Sequence, residues 1–129
     1  MITQLSVFLE NKPGRLSEMA RLLQEAGVNI KAMGIAEAGN HGIVRMVVDN
    51  VDLAVKALQK AGMAVSKVDI LAIDMRAGVY QISKILGDHE INIDYAYTGS
   101  GSIIFMKVSD EGKAYQVLKS AGVKVYDTI

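Results

Sequence analysis

The stretch LENKPGRLSEMARLLQEAGVNI, residues 9–30, contains a tight turn, an amphipathic helix and the start of a strand in direct succession. Pro13 stands near the start of the helix, where proline is favoured, and Gly27 stands just past its end, where glycine commonly terminates helices. Between them the apolar residues recur at helical spacing. They are Leu16, Met19, Ala20, Leu23 and Ala26. The stretch therefore predicts a helix that buries one face between two strands.

Hydrophobic periodicity on both sides of this stretch completes one structural unit. Period-two patterns predict strands at residues 5–9, 28–37, 42–48 and 63–68, and helical spacing predicts a second helix at residues 51–61. The turn-forming residues 38–41 should close a hairpin between two of the strands. Asp49 or Asn50 should cap the second helix, which Gly62 ends. The predicted order is βαββαβ.

The second half of the chain repeats the first. A shift of 63 places aligns Leu16 with Val79, Leu23 with Leu86 and Asn29 with Asn92. A shift of 60 places aligns the later part of each unit, as in Leu58 with Leu118, so three residues should be lost in a connecting loop. We expect two modules, residues 1–68 and 69–129, with no linker between them.

The periodicity of the second module predicts the same elements in the same order. Strands are expected at residues 70–74, 91–97, 103–108 and 123–126, and helices at residues 79–88 and 111–121. Right-handed crossovers would give each module an α+β fold, with an antiparallel four-stranded sheet and both helices on one face. Residues 43–48 and 103–106 are apolar on both faces of their strands, so another module must cover the open face. This requirement favours a homodimer.

Two segments closely resemble the signature of the ACT domain family. One is the run from Leu9 to Leu16, which contains an Asn-x-Pro-Gly turn, and the other is Gly27-Val28-Asn29-Ile30. The second module looks like a degenerate copy, with Arg76-Ala77-Gly78 at the turn and Asn92 at the strand start. The resemblance covers essentially the whole chain. It implies two ferredoxin-like modules in tandem that act as an amino-acid-responsive, non-catalytic regulator.

The chemistry of the turn suits a zwitterionic ligand. The first N–H groups of a helix are unpaired and lie at the positive end of its dipole, so a carboxylate is favoured there. The neutral side chains of Asn11 and Asn29 offer both donors and acceptors for an amino acid. The candidate site comprises Asn11, Lys12, Pro13, Gly14, Arg15 and Leu16 of one module and Asn29 and Ile30 of a facing module. The equivalent second site would comprise Met75, Arg76, Gly78 and Asn92.

Each candidate residue also has a purely structural interpretation. Asn11 would serve equally as the cap of the first helix, and Asn29 and Asn92 as residues that begin a strand. Arg15 and Arg76 are more often solvated surface charges than anion clamps. In related ACT sites the residue two before the turn Asn can be a His that contacts the ligand, and Leu9 occupies that position here.

Composition argues against several other classes of protein. Lys and Arg together number 14, as do Asp and Glu, so no net field attracts nucleic acid or an anionic membrane. No apolar run approaches the roughly 20 residues that span a bilayer. The chain has no Cys, and its two His residues lack partnered carboxylates, so we expect a cytoplasmic protein without metal or cofactor.

Two other functions remain open at this point. An acylphosphatase-like enzyme of the same strand order would use Arg15 or Arg76 to bind phosphate and Asn29 or Asn92 to orient water. Alternatively, the modules form a protein-interaction subunit of a separate amino-acid biosynthetic enzyme, with weak ligand binding or none. The enzyme is disfavoured because no nucleophile, base or paired carboxylates are placed for catalysis. Between the other two functions we favour the amino-acid sensor, which the resemblance to the ACT family implies.

Overall fold

A computed structural model describes all 129 residues, which form seven strands and four helices. In chain order they are β1 (Ile2–Glu10), α1 (Arg15–Glu25), β2 (Ile30–Ala38), β3 (His41–Val48), α2 (Val51–Lys60), β4 (Ala64–Asp74), α3 (Val79–Asp88), β5 (Ile93–Thr98), β6 (Ile103–Val108), α4 (Glu111–Ser120) and β7 (Val125–Tyr126). A 3₁₀ turn, Met75–Ala77, joins β4 to α3. No helix of the structure has both the length and the apolar character needed to cross a membrane.

The chain divides into two compact units. The first unit is Thr3–Val68, and the second is Asp69–Ile129 together with Met1–Ile2. The prediction of separate strands at residues 63–68 and 70–74 is wrong, because β4 runs unbroken from Ala64 to Asp74. Nothing in this run interrupts an extended backbone, since it contains no Gly, Pro or Asn.

The sheet of the first unit has the strand order β2-β3-β1-β4, which makes β2 an outer strand. Strand β3 pairs antiparallel with β1, from Leu5 opposite Met46 to Glu10 opposite His41. It also pairs antiparallel with β2, where the pair Ala38 and His41 leaves a two-residue turn at residues 39–40. The predicted hairpin is confirmed. Gly39 has a φ of 67°, a conformation that glycine adopts without strain.

Both helices of the first unit pack on one face of this sheet. Each buries two residues that lie four apart, Met19 and Leu23 in α1 and Ala54 and Leu58 in α2. They contact the inward side chains of β1 and β3, namely Leu5, Val7, Leu9, Val44, Met46 and Val48. The predicted α+β fold with helices on one face is confirmed. On the face of β3 that points away from the helices, Val47 is only 1% exposed, whereas Ile43 is half-buried. The predicted burial of both faces is therefore confirmed only at the end of this strand.

The second unit repeats this packing. Its strands lie in the order β5-β6-β4, and β7 also pairs with β4. Helix α3 buries Ile82 and Leu86, and helix α4 buries Ala114 and Leu118, each at the position expected from the repeat. The three missing residues do not come from a loop, so that prediction is wrong. The hairpin strands lose five residues, since β5 and β6 have 6 residues each while β2 and β3 have 9 and 8. The turn between the strands lengthens from residues 39–40 to residues 99–102, which leaves a net loss of three.

Candidate functional site

The turn between β1 and α1 leaves the start of the helix uncapped. Gly14, with a φ of 88°, is the N-cap residue, and no side chain bonds to the first helical turn. The N–H of Arg15 donates to the carbonyl of Lys12 at 3.3 Å, and that of Glu18 donates to the carbonyl of Gly14 at 3.0 Å. The backbone N–H groups of Leu16 and Ser17 have no acceptor within the chain. They are therefore open to an anionic group.

Asn11 lies beside this helix start with its side chain free. Its backbone N–H donates to the carbonyl of Asn40 at 2.9 Å, which ties the turn to the β2–β3 hairpin. Its side-chain amide is exposed and makes no hydrogen bond in the structure. The interpretation of Asn11 as a helix cap is wrong, because Gly14 occupies the cap position. Asn11 thus keeps a donor and an acceptor available.

Four charged side chains surround the turn and neutralise one another. Glu10 pairs with Lys12 at 2.8 Å and with Arg15 at 3.2 Å. Arg15 also pairs with Glu18 at 3.0 Å. The hydrogen bond and the charge of Lys12, together with the charge of Arg15, hold the pKa of Glu10 below its usual range. Arg15 is therefore engaged by two carboxylates, as the surface-charge interpretation favours.

Sequence reasoning did not single out Glu10 and Glu18, although both had a signal. Glu10 directly precedes Asn11 at the end of a predicted strand, and Glu18 lies three residues after Arg15 on the predicted helix. Side chains three apart on a helix are neighbours, so a carboxylate there would be expected to pair with the guanidinium.

Cavities border the turn, and two of them include Asn11 in their lining. One, of about 410 Å³, lies against the hairpin and is lined by Glu10, Asn11, Lys12, Gly39, Asn40 and His41. The other, which we name the turn cavity, has a volume of about 90 Å³. It is lined by Leu9, Glu10, Asn11, Lys12, Arg15, Leu16, Ile35, Gly42 and Val44. Four candidate residues therefore meet at the turn cavity, while Pro13 and Gly14 shape the turn itself.

Asn29 and Ile30 lie at the other end of the same sheet. The nine residues of β2 separate them from the hairpin and the turn, which corresponds to about 30 Å of strand. Within one module the structure does not bring Asn29 close to Asn11. A site that uses both residues therefore needs two modules.

Asn29 forms a clip between the start of β2 and the end of β3. Its backbone N–H donates to Asp49 Oδ1 at 2.9 Å, and its side-chain Nδ2 donates to Asp49 Oδ2 at 2.8 Å. The N–H of Asp49 returns a bond to the carbonyl of Asn29 at 3.1 Å. The bonds from Asn29 lower the pKa of Asp49. Asn50 rather than Asp49 caps α2, accepting the N–H of Leu53 at 3.1 Å.

The second unit has the same clip with a different partner. The N–H of Asn92 donates to Ser109 Oγ at 2.9 Å, and the N–H of Ser109 donates to the carbonyl of Asn92 at 2.9 Å. The side chain of Asn92 turns away and donates to Asp94 at 3.0 Å. The two units therefore share the backbone part of this clip, while the side chains of Asn29 and Asn92 bond to different partners.

The turn of the second unit is closed by its own ion pair. Asp74 takes the place that Asn11 has in the first unit, and Arg76 Nη2 donates to Asp74 Oδ2 at 2.7 Å. Arg76 also donates its backbone N–H and its Nε to Asp74 Oδ1, each at 3.0 Å. The hydrogen bonds from Arg76 lower the pKa of Asp74 to about 2, and Asp74 raises the pKa of Arg76.

The rest of this turn also differs in geometry. The N–H of Met75 donates to the carbonyl of Ser102 at 2.8 Å, and that of Gly78 donates to the carbonyl of Met75 at 2.9 Å. Gly78 has a φ of 95° and a ψ of 136°, unlike the left-handed helical conformation of Gly14. Met75 and Arg76 therefore lie in the 3₁₀ turn and Gly78 ends it, and the N–H groups of all but Ala77 in Met75–Gly78 are bonded within the chain.

Known proteins resemble this chain in sequence and in structure. Residues 1–106 match the family model of the ACT domain pair. A crystal structure of a protein from Bacteroides thetaiotaomicron is 31% identical, covers 97% of this chain and 91% of that chain, and has a TM-score of 0.90. No curated protein matches the sequence.

More distant structures share the fold. The regulatory subunit of aspartate kinase from Thermus thermophilus, in a ligand-free form, is 16% identical with a TM-score of 0.66, over 93% of this chain and 89% of that chain. The regulatory subunit of aspartate kinase from Thermus flavus is 14% identical with a TM-score of 0.63, over 93% of this chain and 92% of that chain. Identities at this level show a common architecture.

The ion pair in the second turn leads to a pH-dependent prediction. Asp74→Asn should lower the melting temperature at pH 7 by about 2–8 °C, because it removes the partner of Arg76. Since the pKa of Asp74 is lowered to about 2, its stabilising effect is present above the ordinary carboxyl pKa and is lost as the pH falls from about 4 towards 2. The difference between the two proteins should shrink over that range in a melting series.

Asp69→Asn is the matched control, because the Asp69 side chain is exposed on β4 and forms no ion pair. It should change the melting temperature little at any pH. Equal losses from the two substitutions, or a difference that persists unchanged at pH 2, would show that the ion pair does not stabilise the turn.

Proposed function

The chain belongs to the ACT domain pair family, and we propose that it is a non-catalytic cytoplasmic sensor that binds a free amino acid. The binding site is the turn between β1 and α1 of the first unit. One observation carries the proposal. The unengaged amide of Asn11 lies beside a helix start whose N–H groups at Leu16 and Ser17 lack acceptors.

The charge balance of the turn supports an amino acid as the ligand. The free N–H groups favour the ligand carboxylate, and the Asn11 carbonyl oxygen accepts a bond from the ligand ammonium. Glu10, Lys12, Arg15 and Glu18 are already paired, so the turn carries no net charge. A zwitterion leaves that balance unchanged, whereas a dianion such as a phosphate would not.

A facing module supplies the other half of the site in this proposal. We assign the two modules to residues 1–68 and 69–129. We propose that the outer strand β2 forms hydrogen bonds with β2 of a second copy in antiparallel orientation. Antiparallel pairing places the start of one strand beside the end of the other, so Asn29 and Ile30 of one copy approach the turn of its partner. Around a centre at Gly34, Lys31 also faces Glu37 of the other copy.

The second turn is the weaker site. The carboxylate of Asp74 stands where Asn11 stands in the first module and repels a ligand carboxylate. Arg76 does not offset this repulsion, because its guanidinium is already bonded to Asp74. Asn92 directs its side chain to Asp94. Binding at Met75, Arg76, Gly78 and Asn92 is thus expected only at higher ligand concentrations.

An interaction with a separate metabolic enzyme is the second candidate function. At the start of α3, Val79 is 53% exposed and Tyr80 is 75% exposed, which gives the second unit an apolar surface suited to a protein partner. In a sensor, the ligand would favour one paired arrangement and so change the response of that partner. An acylphosphatase-like activity is disfavoured, since Arg15 and Arg76 are both bound to carboxylates.

A melting screen with the twenty amino acids at millimolar concentration tests amino-acid binding. A ligand present at 100 times its dissociation constant stabilises the folded chain by about 2.7 kcal/mol. We expect one amino acid, or a few related ones, to raise the melting temperature. Asn11→Ala should weaken the binding of that amino acid at least about tenfold in calorimetry, because it removes hydrogen bonds to charged groups.

Asn40→Ala is the matched control for this experiment. Asn40 lies beside Asn11, but its contact with the turn is made by its backbone carbonyl, which alanine retains. The Asn40→Ala protein should bind the amino acid with the same affinity as the unchanged chain. If no amino acid stabilises the protein, the sensor proposal fails and the interaction subunit becomes the better account.

Sedimentation velocity tests the pairing of β2 with a second copy. We expect a dimer, and we expect Ile35→Lys to shift it to the monomer. Ile35 is 57% exposed on the outer strand, and pairing centred on Gly34 would bring the two introduced charges within about 8 Å of each other.

Leu53→Lys is the control, because Leu53 is 44% exposed on α2 and away from that strand. It should leave the dimer intact. A monomeric unchanged chain, or a dimer that tolerates Ile35→Lys, would refute pairing through β2.

A further inference from the structure

The walls of the turn cavity are aliphatic. Leu9 and Val44 form its floor and are 8% and 2% exposed. Leu16 and Ile35 stand at its rim and are 39% and 57% exposed. An apolar group of a ligand that covered these exposed side chains would be bound favourably, because apolar surface would be removed from water.

The charged residues of the same cavity leave nothing for a polar ligand side chain. Glu10 is bonded to Lys12 and Arg15, and Arg15 is also bonded to Glu18. A charged ligand side chain would have to break one of these pairs, and a neutral polar one would meet only aliphatic walls. Asn11 is the one polar side chain without a partner, and in the proposed function it binds the backbone of the ligand.

The turn cavity is small, at about 90 Å³, and it is open at its rim, where Leu16 and Ile35 are exposed. A short branched aliphatic side chain can lie between its apolar walls. An aromatic ring or a long basic chain would extend past these walls towards the charged residues of the turn.

We propose that the turn cavity selects an amino acid with a short branched aliphatic side chain, that is valine, leucine or isoleucine. This inference rests on the proposed function, since it names the ligand of the same site. The ligand backbone lies against Asn11 and the start of α1. Its side chain points between Leu9, Leu16 and Val44, and Ile35 covers it.

Gly42 offers a way to change the cavity without disturbing the fold. A Cβ atom on Gly42 would lie 3.7 Å from Ile35 Cγ2, which is an ordinary contact distance, so alanine is accommodated there. Gly42 pairs with Leu9 across the sheet and shares the inward face with Val44, so the added methyl group enters the cavity. Gly42→Ala therefore reduces the space for the ligand side chain.

Calorimetry on the full chain with a panel of free amino acids tests the inference. Valine, leucine or isoleucine should bind at least about tenfold more tightly than glycine, aspartate, lysine and phenylalanine. Gly42→Ala should weaken the binding of leucine and isoleucine by about tenfold and change that of alanine by less than about threefold. Gly112→Ala is the matched control, because Gly112 lies on α4 and an added Cβ atom would be 3.8 Å from Asp110 Oδ1, an ordinary contact distance. This substitution should change the binding of neither leucine and isoleucine nor alanine.

The outcomes separate this inference from the proposed function. If a charged, polar or aromatic amino acid binds best, and Asn11→Ala weakens its binding, selection for an aliphatic side chain is refuted while the sensor proposal stands. Equal weakening of leucine and alanine by Gly42→Ala would also refute it. If none of the panel binds, both the inference and the proposed function fail.

Discussion

Burial of two apolar residues from every helix against one face of a sheet is the constraint on which each unit depends. The pairs lie four residues apart, so they share one side of the helix and pack onto the same strands. They are Met19 and Leu23, Ala54 and Leu58, Ile82 and Leu86, and Ala114 and Leu118. With both helices held on one face, the connecting turns lie at the ends of the sheet. The turn at Asn11 is therefore supported by a rigid layer but remains accessible.

The two turns at equivalent positions of the repeat differ in polarity. In the first unit a neutral Asn11 stands next to open helix N–H groups, and the surrounding charges are paired with one another. In the second unit Asp74 holds Arg76 in the corresponding place. The exposed Val79 and Tyr80 lie beside the closed turn, on the helix that follows it.

Periodicity was sufficient to predict the fold because the helices alternate buried and exposed residues in a regular way. The boundaries of α3 and β6 agree with the sequence prediction residue for residue. Periodicity did not reveal that β4 is continuous, since two adjoining strands and one long strand have the same pattern. The turn motif and its resemblance to the ACT signature identified the first turn as a candidate site, but they did not predict the role of Glu10. Ion pairs depend on side-chain directions that spacing alone does not determine at a turn.

Asn29 and Asn92 take equivalent places in the two units, but their side chains bond to different partners, which the sequence does not show. Both residues clip the start of one strand to the end of the next, through Asp49 in one unit and Ser109 in the other.

The most direct test of amino-acid binding at the first turn is a titration of isotope-labelled protein with a binding amino acid, followed by amide NMR. The account predicts the largest shifts at the N–H groups of Leu16 and Ser17 and at the side-chain amide of Asn11. Shifts confined to the turn at Asp74–Gly78, with those resonances unmoved, would contradict it.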